Sequence, residues 1–185
     1  MGHKFAELAF TASVKAEQAA RGSRPAYERF EQGEDHHDVL GPQEATFIGM
    51  RDSFYMATVS ETGWPYIQHR GGPAGFLKVL DEKTIGFADF RGNRQYISVG
   101  NLKSETRVSL FLMDYASKSR LKILGRARMV DATDEETLKR LALPNYRAQV
   151  ERGMLISVAA FDWNCPQHIT QRLTVAEFGA ATDPL

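Results

Sequence analysis

Residues 53–70 read SFYMATVSETGWPYIQHR, and their pattern points to a β-sheet architecture. Ser53 to Ser60 is rich in β-branched and aromatic residues, and Glu61-Thr62-Gly63-Trp64 carries turn chemistry. Pro65 to Arg70 is extended again, so the stretch predicts a β-hairpin. The pattern repeats downstream. Phe76 to Leu80 and Thr84 to Asp89, joined by Asp81-Glu82-Lys83, predict a second hairpin. Arg107 to Met113 and Leu121 to Val130, joined by the polar loop Asp114 to Ser119, predict a third, and Met154 to Trp163 one more strand.

Helical signals flank these strands. From Phe5 to Ala20, Phe5, Leu8, Ala9, Ala12, Ala16 and Ala19 recur at helical spacing until Gly22 and Pro25. Arg24 to Asp38 is polar and irregular and reads as a surface loop. A second helix is predicted from Pro42 through Ala45, Phe47 and Ile48, with the proline suited to the first turn. Arg94 to Val99 predicts a short helix, with Asn93 placed to cap it and Gly100 to end it. Further helices are expected at Asp134 to Leu141 and from Asn145 to Glu151, and an irregular arm from Pro166.

Six or seven short antiparallel strands with few helices point to a barrel or sandwich, and nothing alternates strand with long helix as a dinucleotide fold would. The expectation is one domain over 1–185, mainly β with peripheral helices, carrying a helical extension over about 1–50. Lys plus Arg number 23 and Asp plus Glu number 23, so no global field draws the chain to nucleic acid or an anionic membrane. Any anion site must be local. One cysteine, Cys165, excludes an intramolecular disulfide, and no apolar run approaches the roughly 20 residues that span a bilayer. With no signal-peptide pattern near Met1, a reducing cytoplasm is expected.

Two stretches could carry chemistry. In Asp89-Phe90-Arg91-Gly92-Asn93-Arg94-Gln95-Tyr96 a strand ends, Gly92 lets the chain turn and a helix is expected to start. Free N–H groups at that start, with the forks of Arg91 and Arg94 and neutral donors from Asn93 and Gln95, suit a phosphate. An ordinary capped turn with solvated arginines fits the same spacing. In Tyr66-Ile67-Gln68-His69-Arg70-Gly71-Gly72-Pro73, Gln68 and Arg70 share one strand face while Ile67 and His69 share the other. A polar inward face is costly unless it meets a ligand or a partner, and Gly71 and Gly72 permit close approach of a flat ligand. A plain strand edge ending in a Gly-Gly-Pro loop also fits.

Ala57-Thr58-Val59, Gly63-x-Pro65-Tyr66, Phe87 to Gln95 and Arg107-Val108-Ser109-Leu110 follow one another in an order and spacing that resemble the pyridoxine/pyridoxamine 5′-phosphate oxidase family. The register holds from Ala57 to about Val130 and returns at Trp163 to Arg172. The resemblance implies a split β-barrel that binds FMN, a homodimer with flavin at the subunit interface, and a small-molecule substrate. By the same resemblance the family's Ser-Arg-Lys phosphate turn falls on Asn93, Arg94 and Gln95, which keeps the arginine and loses the lysine charge. The family's strand arginine falls on Gln68, with Arg70 as a substitute on the same face. A ring-contacting glutamine falls on Arg120, and a late tryptophan and arginine resemble Trp163 and Arg172.

Departures from the family redirect the expectation. The lysine that helps hold the vitamin substrate is lost within Gly71-Gly72-Pro73, and the C-terminal Arg-x-His pair has only His168 nearby. The chain is therefore expected to be an FMN-dependent oxidoreductase related to the family's oxidase, with its substrate unassigned. A deazaflavin reductase, a haem-handling protein of the same fold, and a flavin-binding module without turnover are the alternatives. The phosphate is expected at Gln68, Arg70 and the Asn93–Gln95 turn, and the ring near Arg120 and the partner chain. No general acid or base is assigned, although His69 and His168 carry suitable imidazoles.

Two other groupings carry less. Glu34-Asp35-His36-His37-Asp38 offers metal-binding residue types without a third ligand at a defined spacing, so no metal is expected. Cys165-Pro166-Gln167-His168 lacks the orienting third group of a nucleophilic dyad. Dimerisation has an argument of its own, because Met56, Gln68, Arg70, Arg120 and Lys122 put polar or adaptable side chains on surface expected to be buried inside the barrel. A twofold contact would let a ligand and a partner satisfy them.

Overall fold

The computed structural model describes residues 3–33, 36–163 and 166–182. Seven strands form one antiparallel sheet: β1 (Ser53–Val59), β2 (Pro65–Gly71), β3 (Lys78–Asp81), β4 (Thr84–Phe90), β5 (Arg107–Asp114), β6 (Ser119–Val130) and β7 (Val150–Trp163). Their order is β2-β1-β5-β6-β7-β4-β3, so β2 and β3 are the sheet's two edges. The fold is the split barrel, mainly β with peripheral helices. All seven expected strands form, with boundaries displaced by a few residues.

Alternation in β1 explains how the sheet curls around one core. Phe54, Met56 and Thr58 turn inward while Tyr55 and Val59 face out. Leu110 and Leu112 of β5 and Leu121 and Ile123 of β6 add to the same apolar interior, which Phe87 of β4 and Ile156 of β7 complete. Fully burying side chains of this size contributes about 1.5–3 kcal/mol each. The curl brings β2 to face β4 although the two are not hydrogen-bonded neighbours, and Arg70 Nη1 meets Asp89 Oδ1 at 2.7 Å across that seam.

The helices are α1 (Lys4–Ala9), α2 (Ala12–Ala20), α3 (Arg24–Glu31), α4 (Pro42–Gly49), α5 (Ile97–Asn101), α6 (Glu135–Leu141) and α7 (Val175–Thr182). These helices correct the reading of the sequence in four places. The single helix expected over residues 5–20 is two, because the Thr11 hydroxyl accepts from Val14 N at 3.4 Å and starts a new one. The loop expected from Arg24 contains α3, whose first turn accommodates Pro25 at no hydrogen-bond cost. Arg24 then pairs with Glu28 at 3.3 Å and Glu31 at 2.6 Å along the same helix. The arm after Pro166 ends in α7.

The fourth correction falls on the phosphate turn. α5 begins at Ile97, three residues after the expected start, because Arg94 and Tyr96 lie in the left-handed region at φ 61° and 53°. Asn93 therefore caps a turn, not a helix: its Oδ1 accepts from Gln95 N at 3.2 Å. Gly100 sits inside α5 and does not end it. The helix expected from Asn145 is absent for a related reason. Arg91 N donates to Gln149 O at 2.8 Å and Phe90 pairs with Val150, so β4 draws this segment into the start of β7.

Arg120 and Lys122 also differ from expectation. They alternate with buried Leu121 and Ile123, so they lie on the sheet's outer face and not inside the barrel. Lys122 is covered there by Phe5 of α1, 4.6 Å from the ring centroid, and pairs with Asp162 at 2.8 Å. Among the described residues no helix is long and apolar enough to cross a membrane.

Candidate functional site

The inward face of β2 is polar where that of β1 is apolar. Gln68 lies opposite Met56 and Arg70 opposite Phe54, so both point to the barrel's inner side at the open seam. β4, the turn 91–96 and β7 close around them to form a cavity of about 180 Å³. Its walls include Gln68, Arg70, Asp89, Asn93, Arg94, Tyr96, Ser98 and Glu151. A second compartment of about 270 Å³ shares Gln68, Arg70, Asp89, Phe90 and Gly92 with the first and continues along β2 past His69 and Gly71.

Charges alternate through the cavity wall. Asp89 contacts Arg70 at 2.7 Å and Arg152 at 3.5 Å, and Arg152 contacts Glu151 at 2.6 Å. The Tyr96 hydroxyl donates to Glu151 Oε1 at 3.1 Å and accepts from Arg94 Nε at 3.3 Å. Arg152 also lies over the Tyr96 ring, 5.0 Å from its centroid. Burial pushes the Asp89 carboxyl above its usual value, outweighing the opposing pull of Arg70 and Arg152.

Four expected site residues meet here: Gln68, Arg70, Asn93 and Arg94. The Ser98 hydroxyl holds Gln68 Oε1 at 2.9 Å. Arg70 commits one terminal nitrogen to Asp89, while its Nε is buried with no hydrogen-bond partner among the described residues. A guanidinium has five donors in a planar fork, so spare donors remain for an oxyanion. Gln95 turns away and lines a shallow surface groove with Ser60, Glu61 and Thr62.

The other three expected residues lie elsewhere. Arg120 sits on the outer face, 5.7 Å from the centroid of Phe111, with its Nε buried and without a hydrogen-bond partner among the described residues. Trp163 donates from Nε1 to Glu44 Oε1 at 2.7 Å and packs edge-on against Phe47 of α4. Glu44 uses its other oxygen to accept from Gly41 N at 3.0 Å, so Trp163 is tied to the start of α4. Arg172 lies over Tyr115 at 4.9 Å, in a separate cavity of about 350 Å³ with Arg51, Asp114 and Glu177.

His69 faces outward with Tyr55, and the rings meet edge-on at 5.6 Å. His168 stands in the C-terminal arm at φ 62°. Cys165, Glu34 and Asp35 lie outside the described residues. Among the described residues no group of three His, Cys, Asp or Glu side chains could hold a metal.

Sequence reading missed Tyr96, Ser98, Glu151 and Arg152, and gave Asp89 no role. Ser98 was reachable, since it falls within the expected helix next to the phosphate turn. Glu151 and Arg152 were not, because only the β4–β7 pairing, with Asp89 opposite Arg152, brings them to the cavity.

The family model described as pyridoxamine 5′-phosphate oxidase matches residues 40–163. No curated protein sequence matches the chain. Among solved structures, HupZ of Group A Streptococcus superposes with a TM-score of 0.54 at 16% identity, over 72% of this chain and 100% of its own. A candidate pyridoxamine 5′-phosphate oxidase from Lactobacillus delbrueckii gives 0.51 at 16% identity, over 68% of this chain and 94% of its own. At this identity the two structures speak for the fold alone.

Proposed function

The chain belongs to the pyridoxamine 5′-phosphate oxidase family, and on that premise we propose that it is an FMN-binding oxidoreductase acting on a small molecule other than the family's vitamin phosphate. The observation that carries the reading is the convergence of Gln68, Arg70, Asn93 and Arg94 on one cavity, with a buried guanidinium nitrogen left unsatisfied. A buried donor without a partner costs free energy that a phosphate oxygen would relieve.

The residues present fit the cofactor's phosphate end. Arg70 and Arg94 supply charge-assisted donors, and the Asn93 side-chain amide keeps its N–H₂ free for a ligand while its carbonyl oxygen fixes the turn. Gly92 lines the adjoining compartment, and a side chain there would meet only open space, which leaves room for a flat group. Bound FMN would supply hydride transfer at its N5 atom. The protein's part is to bind the phosphate, orient the ring and exclude water.

The cavity of about 180 Å³ is by itself below the roughly 300–1,000 Å³ of whole ligand sites, and the adjoining compartment of about 270 Å³ brings the site only into the lower part of that range. We place the rest of the site on a second copy of the chain. The outer face of β2, β1 and β5 leaves Ile67 67% exposed beside half-exposed Tyr55, which suits burial in a twofold contact. Arg120 belongs to this same sheet face and Arg172 to the cavity that Tyr55 also lines, so both could meet a partner's flavin.

A visible absorption spectrum of the purified protein, with mass identification of any released cofactor, tests the reading. Bound FMN at about one per chain is the expected result. A colourless protein that fails to take up added FMN overturns it, and a released deazaflavin or haem replaces it.

A further inference from the structure

We propose that Asp89 is the charge-selecting residue of the arginine cavity: its carboxylate holds the Arg70 guanidinium that a phosphate would take, so phosphate enters together with one proton. The proposal rests on the reading that FMN places its phosphate here. Asp89 is 6% exposed, with Oδ1 2.7 Å from Arg70 Nη1 and Oδ2 3.5 Å from Arg152 Nε. A carboxylate so placed is unusual in a phosphate site, because it supplies in advance the negative charge that the ligand would bring.

The groups facing Asp89 define the balance. Arg70 reaches it from β2, Arg152 and Glu151 flank it from β7, and Arg91, Arg94 and Tyr96 belong to the turn that follows β4. Glu151 is itself held by Arg152 and Tyr96, so it adds a second negative charge to the same wall. Two ionised carboxylates beside a dianionic phosphate offset part of the attraction of the surrounding arginines, and one protonation removes the nearer repulsion. Protonated Asp89 then becomes a donor to a phosphate oxygen.

The exchange balances. A proton from bulk water adds to the Asp89 oxygen that releases Arg70, and Arg70 passes that Nη1 hydrogen bond to the phosphate beside the one its Nε already offers. No covalent bond to carbon or phosphorus changes. Burial already biases the Asp89 carboxyl towards its neutral form, so the ligand needs only to complete a shift under way. Glu151 stays ionised, because Arg152 and Tyr96 retain their bonds to it.

The sign of the pH effect follows. A carboxyl whose proton affinity rises on binding takes up a proton at pH values between its free and bound midpoints. FMN affinity therefore falls as pH rises through that window, approaching about tenfold per pH unit for one proton. The ligand's own phosphate acts in the opposite sense, since an arginine-lined site prefers the dianion and would release protons near its second pKa of about 6.

Calorimetric titration of the full chain with FMN at about pH 7.5, in buffers of low and high ionisation enthalpy, reads the proton directly and lies above the phosphate's own titration. Net proton uptake is expected with FMN and none with riboflavin. In Asp89→Asn the uptake should vanish, and FMN affinity should stay flat where the parent protein loses about tenfold per pH unit. FMN binding without proton uptake, or uptake that persists in Asp89→Asn, overturns the role of Asp89 and leaves the phosphate reading standing. Failure of FMN to bind at any pH overturns that reading as well. If Asp89→Asn does not fold, the contrast between FMN and riboflavin in the parent protein decides alone.

Discussion

The Ser98 hydroxyl donates to Gln68 Oε1 at 2.9 Å, which ties the first turn of α5 to the edge strand β2. The bond spans 30 residues of sequence and fixes one wall of the arginine cavity against another. Ser98 is 1% exposed, so water cannot replace it. Ser98→Ala should lower stability by about 1 kcal/mol and weaken FMN binding a few-fold as the turn loosens. Denaturant unfolding and flavin titration on the same preparation check both effects, and unchanged FMN affinity would show that the turn holds its shape without Gln68.

Arg94 contacts Tyr96 and otherwise projects into the cavity mouth. Arg94→Ala should weaken FMN by about tenfold or more, as expected for the loss of a charge-assisted phosphate contact. Riboflavin, which lacks the phosphate, should lose far less. Equal losses for the two ligands would place Arg94 away from the phosphate.

The site proposed to span two chains makes assembly and cofactor binding one equilibrium. Dilution should release flavin and dissociate the dimer over the same concentration range. Light scattering alongside flavin fluorescence follows the two together. A monomer that keeps its flavin would remove the second chain from the site.

Asn101 Nδ2 donates to Thr58 Oγ1 at 2.9 Å, and both residues are buried between α5 and β1. Asn101→Ala strands the Thr58 hydroxyl and should cost about 1–3 kcal/mol. Adding Thr58→Val to Asn101→Leu removes both partners at once and should restore part of that loss. A double variant less stable than Asn101→Ala alone would mean that packing, not hydrogen bonding, sets the energetics there.

Much of this architecture was legible before any coordinates. Residues 53–70 alternate with period two around Glu61-Thr62-Gly63-Trp64, and a sheet's side-chain period is fixed by backbone geometry, so the hairpin and the faces of Gln68 and Arg70 followed directly. The two remaining hairpins were visible for the same reason. The helices were less legible because their limits depend on competition. Thr11 divides one helix into two, and left-handed Arg94 and Tyr96 delay another until Ile97.

At the candidate site, spacing along the chain is enough to identify the local set: the polar face of β2 and the turn that follows β4. Both lie within short stretches, where spacing alone places side chains side by side. Which distant groups join them depends on how the sheet curls and pairs. Asp89 meets Arg70 because the sheet curls until its edge strand β2 faces β4. Glu151 and Arg152 arrive through a strand pairing formed about 60 residues after β4 leaves the turn, and Arg120 faces outward because its register alternates with Leu121. Register between distant strands is set by how the whole core packs, and no local pattern encodes it.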